Sequence, residues 1–129
     1  MDATAQVAAL YAAYQDRDWD RAAALVHPDA VVDLPATAEQ LAGKEAVMAF
    51  QAEYPEPWGE MRVRQVVGGP QEAAARVEVT APDGQLFAMA AFWTQQDGLL
   101  RAGTEYWITV GGDTVPQTRR AWRAGAGPA

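Results

Sequence analysis

Residues 86–110 read LFAMAAFWTQQDGLLRAGTEYWITV, and this stretch decides the fold. Residues 86–94 and 99–110 are two long runs of apolar and β-branched side chains, which favour β-strands. Asp97-Gly98 stands between the runs and is a dipeptide typical of a tight hairpin. The stretch therefore predicts two antiparallel strands that are neighbours in a sheet.

Two more strands are predicted immediately before this hairpin. Residues 61–67 and 73–80 each alternate apolar with polar side chains, the period of a half-buried strand. Gly68-Gly69-Pro70 separates the two runs, and Pro82-Asp83-Gly84 separates the second from residue 86; both are turn sequences. The second half of the chain is therefore predicted to form four strands joined by short turns.

The first half of the chain has the period of a helix instead. Val7, Leu10, Tyr11 and Tyr14 recur at i, i+3, i+4 and i+7, which predicts a helix over residues 4–16 with one apolar face. The other predicted elements are a short helix capped by Asp18, a strand over 30–34, a loop over 37–43 and a helix over 44–54.

Helices that precede a group of strands indicate an α+β fold, with the helices on one face of a curved antiparallel sheet. The 129 residues are enough for one domain, which we expect to have its core over about 4–110 and a tail over 111–129. The concave side of such a sheet is a usual place for a small ligand. We therefore expect a cone-shaped domain with a pocket between its helices and its sheet.

Composition excludes several classes of function. A net charge of −7 argues against binding to a phosphate backbone. With no cysteine and one histidine, the chain offers no thiolate or multi-histidine metal site. It has no apolar run long enough to span a membrane and no secretory signal at its N-terminus. We expect a cytoplasmic protein that acts on a small molecule without a metal or another cofactor, and without nucleic-acid or membrane partners.

Several short segments together resemble the nuclear transport factor 2-like superfamily in its SnoaL-like branch. They are YQDRDWD at 14–20, HPDAVVDLP at 27–35, LAGKEA at 41–46, DGLL at 97–100 and TEYW at 104–107. The resemblance implies a conical α+β barrel that often forms a dimer through its sheet. It implies little about the reaction, because this fold hosts isomerases, dehydratases, cyclases, epoxide hydrolases and non-catalytic binders.

The first candidate site consists of Arg76, Glu78 and Glu105. Arg76 and Glu78 are two residues apart on one predicted strand, so they share a face, and Glu105 is on the last strand. The set is similar to the Asp–Arg–Asp arrangement of limonene-epoxide hydrolases, with glutamates in place of both aspartates. The resemblance implies that Glu105 is a base, Glu78 an acid and Arg76 the residue that orients them. The alternative is that Val77 and Val79 face the core, which leaves Arg76 and Glu78 in solvent.

The second candidate site pairs Tyr14 with Asp33. Tyr14 is on the apolar face of the first helix, and the resemblance implies a tyrosine there that donates to a substrate oxygen. Asp33 lies where the epoxide hydrolases place a residue that holds water. The alternatives are a core tyrosine with a satisfied hydroxyl, and an aspartate that bonds a nearby backbone N–H.

Four aromatic side chains are candidates for pocket walls that bind substrate, and the alternative is that most of them are core residues. The four are Trp58, Phe92, Trp93 and Trp107. Trp107 is two residues from Glu105, so the two share a face of the last strand.

Three hypotheses about function follow from the sequence. The first is a cofactor-free acid–base enzyme (a hydrolase, isomerase or cyclase) that acts on a small apolar or polyketide-like molecule. The second is a binding protein that has the same pocket and no turnover. The third is a dimeric interaction module with a filled cone. A homodimer is expected under each of them, because an apolar sheet face is unfavourable in water.

Overall fold

The computed structural model describes residues 1–125, and the last four residues of the predicted tail lie outside this range. The helices are α1 (Ala3–Gln15), α2 (Trp19–Ala24) and α3 (Lys44–Ala52). The strands are β1 (Val26–Leu34), β2 (Glu39–Ala42), β3 (Glu60–Gly68), β4 (Glu72–Thr80), β5 (Leu86–Gln96) and β6 (Leu99–Thr109). A 3₁₀ turn, Gln117–Trp122, follows them in the tail.

The strands form one curved, six-stranded sheet in the order β2-β1-β6-β5-β4-β3, with the helices packed on one face. The predicted α+β class is confirmed. The prediction of a wholly antiparallel sheet is wrong for one pair, because β1 runs parallel to β6. No hairpin joins these two strands. Since α3 and four strands lie between them in the chain, no tight turn fixes their relative direction.

The hairpin from β5 to β6 forms as its sequence predicts. Asp97 has φ 55° and Gly98 has φ 77°, and two positive φ values are what a two-residue hairpin of this twist requires. The register then places Trp93 opposite Gly103 and Ala91 opposite Glu105. The turn sets the pairs next to it, and a shift of one residue between Thr94 and Gln95 then sets the pairs at the centre of the sheet.

Helix α1 supplies much of the core. The side chain of Asp2 caps it by accepting a hydrogen bond from the amide of Ala5. The four predicted apolar positions, Val7, Leu10, Tyr11 and Tyr14, are all buried. Because α1 packs mainly against β3 and β4 and also touches β5 and β6, it crosses the sheet and places its tyrosines against the central strands.

The segment between α2 and α3 differs from its prediction. The loop expected over 37–43 contains the edge strand β2, and β1 begins four residues before the predicted strand. Pro28 is tolerated within β1 because the pairing of β1 with β6 shifts register between Val26 and Val31.

Two remaining features concern the surface. Trp122, in the tail, is 80% exposed and does not pack on the body of the domain. Among the described residues, no helix is long and apolar enough to cross a membrane.

Candidate functional site

Glu105 is a carboxyl group in the core. Side chains alternate along β6, so Glu105 and Trp107 point to the face that carries the helices, called here the inner face, while Tyr106 points to the opposite, outer face. Glu105 is only 4% exposed. The structure therefore confirms the prediction that Glu105 and Trp107 share one face of the last strand and that this face points into the cone.

Two donors hold the Glu105 carboxyl group. The hydroxyl of Tyr11 donates to Oε2 at 2.7 Å, and the indole Nε1 of Trp107 donates to Oε1 at 3.3 Å. The indole Nε1 of Trp93 in turn donates to the Tyr11 hydroxyl at 2.9 Å. Each oxygen of Glu105 thus accepts one hydrogen bond, and a chain of two bonds links Trp93 to Glu105.

Burial and hydrogen bonding act in opposite directions on the pKa of this carboxyl group. Burial raises the pKa of Glu105, and the hydrogen bonds from Tyr11 and Trp107 oppose that rise. Within residues 1–125, no Lys, Arg or His forms an ion pair with it. Burial, reinforced by the charge of Glu105, also raises the pKa values of Tyr11 and Tyr14. Both phenols therefore remain neutral hydrogen-bond donors.

A small cavity lies beside Glu105, inside the cone. It encloses about 10 Å³, which is room for about one water molecule. Its polar lining comes from Tyr14, Gln51 and Glu105. Its apolar lining comes from Val32, Leu41, Val47, Phe50 and Trp93. Tyr14 and Glu105, predicted separately from the sequence, thus meet at one place.

The predicted triad of Arg76, Glu78 and Glu105 does not form. Val77 and Val79 are the inward-facing residues of β4, and both are buried. Arg76 and Glu78 therefore lie on the outer face, on the other side of the sheet from Glu105. Glu78 forms an ion pair there with Arg64 of β3 at 3.1 Å. Because the two valines are buried in the core, the residues that alternate with them, Arg76 and Glu78, must face outwards.

Asp33 and Phe92 also lie on the outer face, in contrast to their predicted places. Asp33 is exposed and accepts a hydrogen bond from the side chain of Gln40 at 2.8 Å. Phe92 is 51% exposed. Because Phe92 and Trp93 are adjacent on one strand, they cannot both face the cone, and it is Trp93 that does. Both outer residues line an open groove of about 440 Å³ on that face.

The remaining two tryptophans lie near the cavity without lining it. Trp107 faces inward and binds Glu105 through its indole N–H. Trp58 lies beyond α3, where its ring stacks on the guanidinium of Arg17, with Cζ 3.5 Å from the ring centroid. Its Nε1 donates to the backbone carbonyl of Gln51 at 3.2 Å. Trp58 therefore fastens the end of α3 instead of forming a pocket wall.

Sequence reasoning missed two residues of the site, Tyr11 and Gln51. Tyr11 shares the apolar face of α1 with Tyr14, so the same spacing that indicated one tyrosine indicated the other. Gln51 is four residues after Val47 on α3, so a polar side chain stands on the apolar face of that helix. A buried polar residue within an apolar stripe is the signal that was available.

The described residues hold no group of three or more His, Asp or Glu side chains close enough to bind a metal ion. The polar groups of the site are the carboxyl group of Glu105, the phenols of Tyr11 and Tyr14, the indoles of Trp93 and Trp107, and the amide of Gln51.

Comparison with known proteins places this architecture among known folds. No curated protein matches the sequence. A structure described as a "putative ketosteroid isomerase" from Kribbella flavida DSM 17836 is 26% identical, with a TM-score of 0.82 over 97% of this chain and 89% of that one. TerC, co-crystallized with polyporic acid, is 24% identical, with a TM-score of 0.66 over 82% of this chain and 91% of that one.

A third similar structure is a limonene-epoxide-hydrolase-like (LEH-like) epoxide hydrolase of M. tuberculosis. It is 15% identical, with a TM-score of 0.66 over 80% of each chain. The last two likenesses are likenesses of fold. Residues 7–102 match the SnoaL-like domain, a range that contains Tyr11, Tyr14, Gln51 and Trp93 and ends just before Glu105. The chain therefore belongs to the SnoaL-like domain family of the nuclear transport factor 2-like superfamily.

Proposed function

We propose that this chain binds a small, uncharged, largely apolar molecule beside Glu105, and that Glu105 exchanges a proton with it without a cofactor. The observation that carries the proposal is the buried Glu105 carboxyl group, which has two donors, no ion pair among the described residues and a place on a cavity wall. Perturbed carboxyl groups in cavities are typical of general acids and bases.

The neighbours of Glu105 have distinct roles in this proposal. Burial raises the Glu105 pKa, and a carboxyl group can accept a proton when ionised and donate one when neutral. Tyr11 and Trp107 position the carboxyl group. Tyr14, kept neutral by its raised pKa, donates a hydrogen bond to an oxygen of the bound molecule. Trp93 supplies an apolar wall.

Binding requires the cone to open, because a cavity of about 10 Å³ holds nothing larger than water. Helix α3 is the part suited to move. It contributes Val47, Phe50 and Gln51 to the cavity wall, and it packs mainly on β1, β2 and α2. Gly43, with φ 93°, precedes it, and a segment with two prolines follows it. Outward movement of α3 would enlarge the cavity on the side opposite the sheet.

The test begins with binding. A panel of small hydroxylated, keto and epoxide compounds is screened by thermal shift, and binders are confirmed by NMR shifts of the Trp93 and Trp107 indole N–H signals. Bound compounds are then assayed for turnover with the wild type, Glu105→Gln and Glu78→Gln. Glu105→Gln should lower the rate at least ~100-fold, a usual share for general acid–base catalysis.

Glu78→Gln is the matched control, because Glu78 is a carboxylate of the outer face, paired with Arg64. It should turn over substrate like the wild type. Equal rates for Glu105→Gln and wild type would contradict the proposal, as would binding that leaves the two indole signals unmoved.

A non-catalytic binder is the second candidate function, and the position of Glu78 on the outer face favours it, because Glu105 is then the one carboxyl group on the cavity wall among the described residues. In that case Glu105 and Tyr14 form hydrogen bonds to a ligand that leaves unchanged. Binding by both wild type and Glu105→Gln, with no product from any bound compound, is the result that favours this candidate.

A homodimer is part of the proposal for either function. The outer face carries Val67, Phe92, Tyr106 and Ile108, each about half exposed. The rings of Phe92 and Tyr106 lie edge to face with centroids 6.0 Å apart. Apolar side chains clustered on one face of a sheet favour burial against a second copy of that face.

A further inference from the structure

Three polar side chains are buried in the part of the chain that the structure describes: Gln6, Gln51 and Glu105. The amide of Gln6 donates to the carbonyl of Gly98 and accepts from the side chain of Gln95. Glu105 accepts from Tyr11 and Trp107. Within residues 1–125, no side-chain hydrogen bond involves the amide of Gln51, although the residue as a whole is only 6% exposed. The amide atoms themselves are not sealed off, so a water molecule can reach them and complete their hydrogen bonding.

The place of Gln51 indicates where such a water molecule would bind. Its backbone carbonyl is held by Trp58, and its side chain lines the cavity together with Tyr14 and Glu105. The cavity has the volume of about one water molecule and three polar groups on its wall. A buried water usually needs that much room and two to four hydrogen-bonding partners.

We propose that this cavity is a binding site for one uncharged oxygen, and that Gln51 is the residue that orients it. In the free protein the oxygen is that of a water molecule. The water accepts a hydrogen bond from the Tyr14 hydroxyl and donates to the Glu105 carboxylate and to the amide oxygen of Gln51. These three bonds give the amide oxygen of Gln51 a partner and add a third donor to Glu105.

The charges around the cavity determine the class of ligand. The titratable groups that face it are Tyr14 of α1 and Glu105 of β6, with Tyr11 behind Glu105. The lining residues from α3, β1, β2 and β5 are not titratable. With no cation on the cavity wall, nothing there would offset the cost of burying a carboxylate or phosphate, whereas a hydroxyl or carbonyl oxygen could accept a hydrogen bond from Tyr14.

The step from water to substrate rests on the proposed function: a hydroxyl of the bound molecule would displace the water, accept from the Tyr14 hydroxyl and donate to Glu105, whereas a carbonyl oxygen would accept from Tyr14 and from the side-chain N–H of Gln51. The water site itself does not depend on turnover. It is therefore tested in the free protein, where failure of the proposed function does not affect the result.

The test compares wild type with Gln51→Met, which keeps the length of the side chain and removes its amide. NMR measures contacts between long-lived water and the methyl groups of Val32 and Val47, both on the cavity wall. A ¹³C titration follows the Glu105 carboxyl group. We expect water contacts in the wild type, their loss in Gln51→Met, and a higher Glu105 pKa in the variant because its anion loses a donor.

Gln6→Met is the matched control, since Gln6 is a buried glutamine with protein partners outside the cavity. It should lower the melting temperature and leave the Glu105 pKa and the water contacts unchanged. The proposal is overturned if the wild type shows no water contact, or if Gln51→Met leaves the Glu105 pKa unchanged. A dry site also predicts that Gln51→Met melts at a higher temperature than wild type, because it removes an amide without a partner. If Gln51→Met does not fold, the wild-type water contacts decide the question.

Discussion

At the scale of single residues, two opposing effects act on Glu105. Burial disfavours its charge, whereas the hydrogen bonds from Tyr11 and Trp107 favour it. Burial is the larger effect, so the folded protein holds a proton on this group more tightly than the unfolded chain does. Folding is therefore linked to proton uptake at Glu105, and stability depends on pH.

We predict that Glu105→Gln gains stability relative to wild type as the pH rises. The raised pKa of Glu105 contributes to the free energy of unfolding of the wild type. This contribution is fully present below the pKa that Glu105 has in the unfolded chain, and it is lost as the pH rises through the pKa that Glu105 has in the folded protein. Glutamine has no proton to lose. Thermal melting at several pH values between 4 and 8 checks this, and a constant difference in melting temperature would contradict it. Glu78→Gln is the control.

Gly103 is a second residue whose role is specific. A Cβ at this position would lie 2.8 Å from the Trp93 ring, closer than side chains approach one another. We predict that Gly103→Ala displaces the indole and lowers the free energy of unfolding by about 1–3 kcal/mol, the usual effect of overpacking. Urea denaturation measures the loss. The control is Ala102→Ser, which changes the neighbouring residue of β6 on the outer face and should leave the free energy of unfolding close to that of wild type.

Sequence patterns predicted some of the site residues and misplaced others, for a physical reason. Alternation along a strand says which residues share a face but leaves open which face is inside. On β6 the bulk of Trp107 indicated the correct choice. On β4 a resemblance to an Asp–Arg–Asp site favoured Arg76 and Glu78, although Val77 and Val79 are the better core residues.

At the scale of secondary-structure elements, α3 is the part that decides access to the cavity. Its N-terminal end follows Gly43 and has no side-chain cap. Its C-terminal end is held by Trp58, through the bond to the Gln51 carbonyl and the stacking on Arg17. Arg17 in turn donates to the carbonyl of Gly59 at 2.6 Å. Trp58 therefore connects α3 to the turn after α1.

We predict that Trp58→Phe loosens α3 without unfolding the domain. Phenylalanine keeps a ring for Arg17 to stack on but cannot donate to the Gln51 carbonyl. Hydrogen exchange of the α3 amides should become faster, while that of the α1 amides stays as in wild type. Trp122→Phe, in the exposed tail, is the control. Unchanged exchange in α3 would contradict the role given to Trp58.

The elements that sequence predicted best are those defined by local signals. Helix α1 has a long apolar stripe, and β3 to β6 are separated by glycine and proline turns. The edge strand β2, with the sequence EQLA, has neither alternation nor β-branched residues. It becomes a strand through its pairing with β1, from Val31 opposite Ala42 to Leu34 opposite Glu39. Such long-range pairing leaves no local pattern.

At the scale of the whole molecule, the sheet has one face covered by helices and one face with clustered apolar side chains. Phe92 and Tyr106 are central to the outer cluster and are 51% and 49% exposed. The charged residues Arg62, Arg64 and Glu78 lie towards the β3 edge of the domain. A second copy that covers the apolar part would leave that charged edge in contact with water.

We predict a homodimer that Phe92→Asp dissociates. Sedimentation equilibrium at micromolar concentration should give roughly twice the chain mass of 13.9 kDa for the wild type and the single-chain mass for the variant. Trp122→Asp, which changes another exposed aromatic residue, should remain dimeric. A monomeric wild type, or a dimer that survives Phe92→Asp, would show that this face is not the interface.

The proposed function depends most on Glu105 being a buried carboxyl group with a raised pKa. The most direct measurement is a ¹³C NMR titration of the wild-type protein, in which Glu105→Gln identifies the Glu105 side-chain signal. We predict a Glu105 pKa above the usual glutamate value of about 4.3, because burial outweighs the bonds from Tyr11 and Trp107. A Glu105 pKa at or below that value would contradict it.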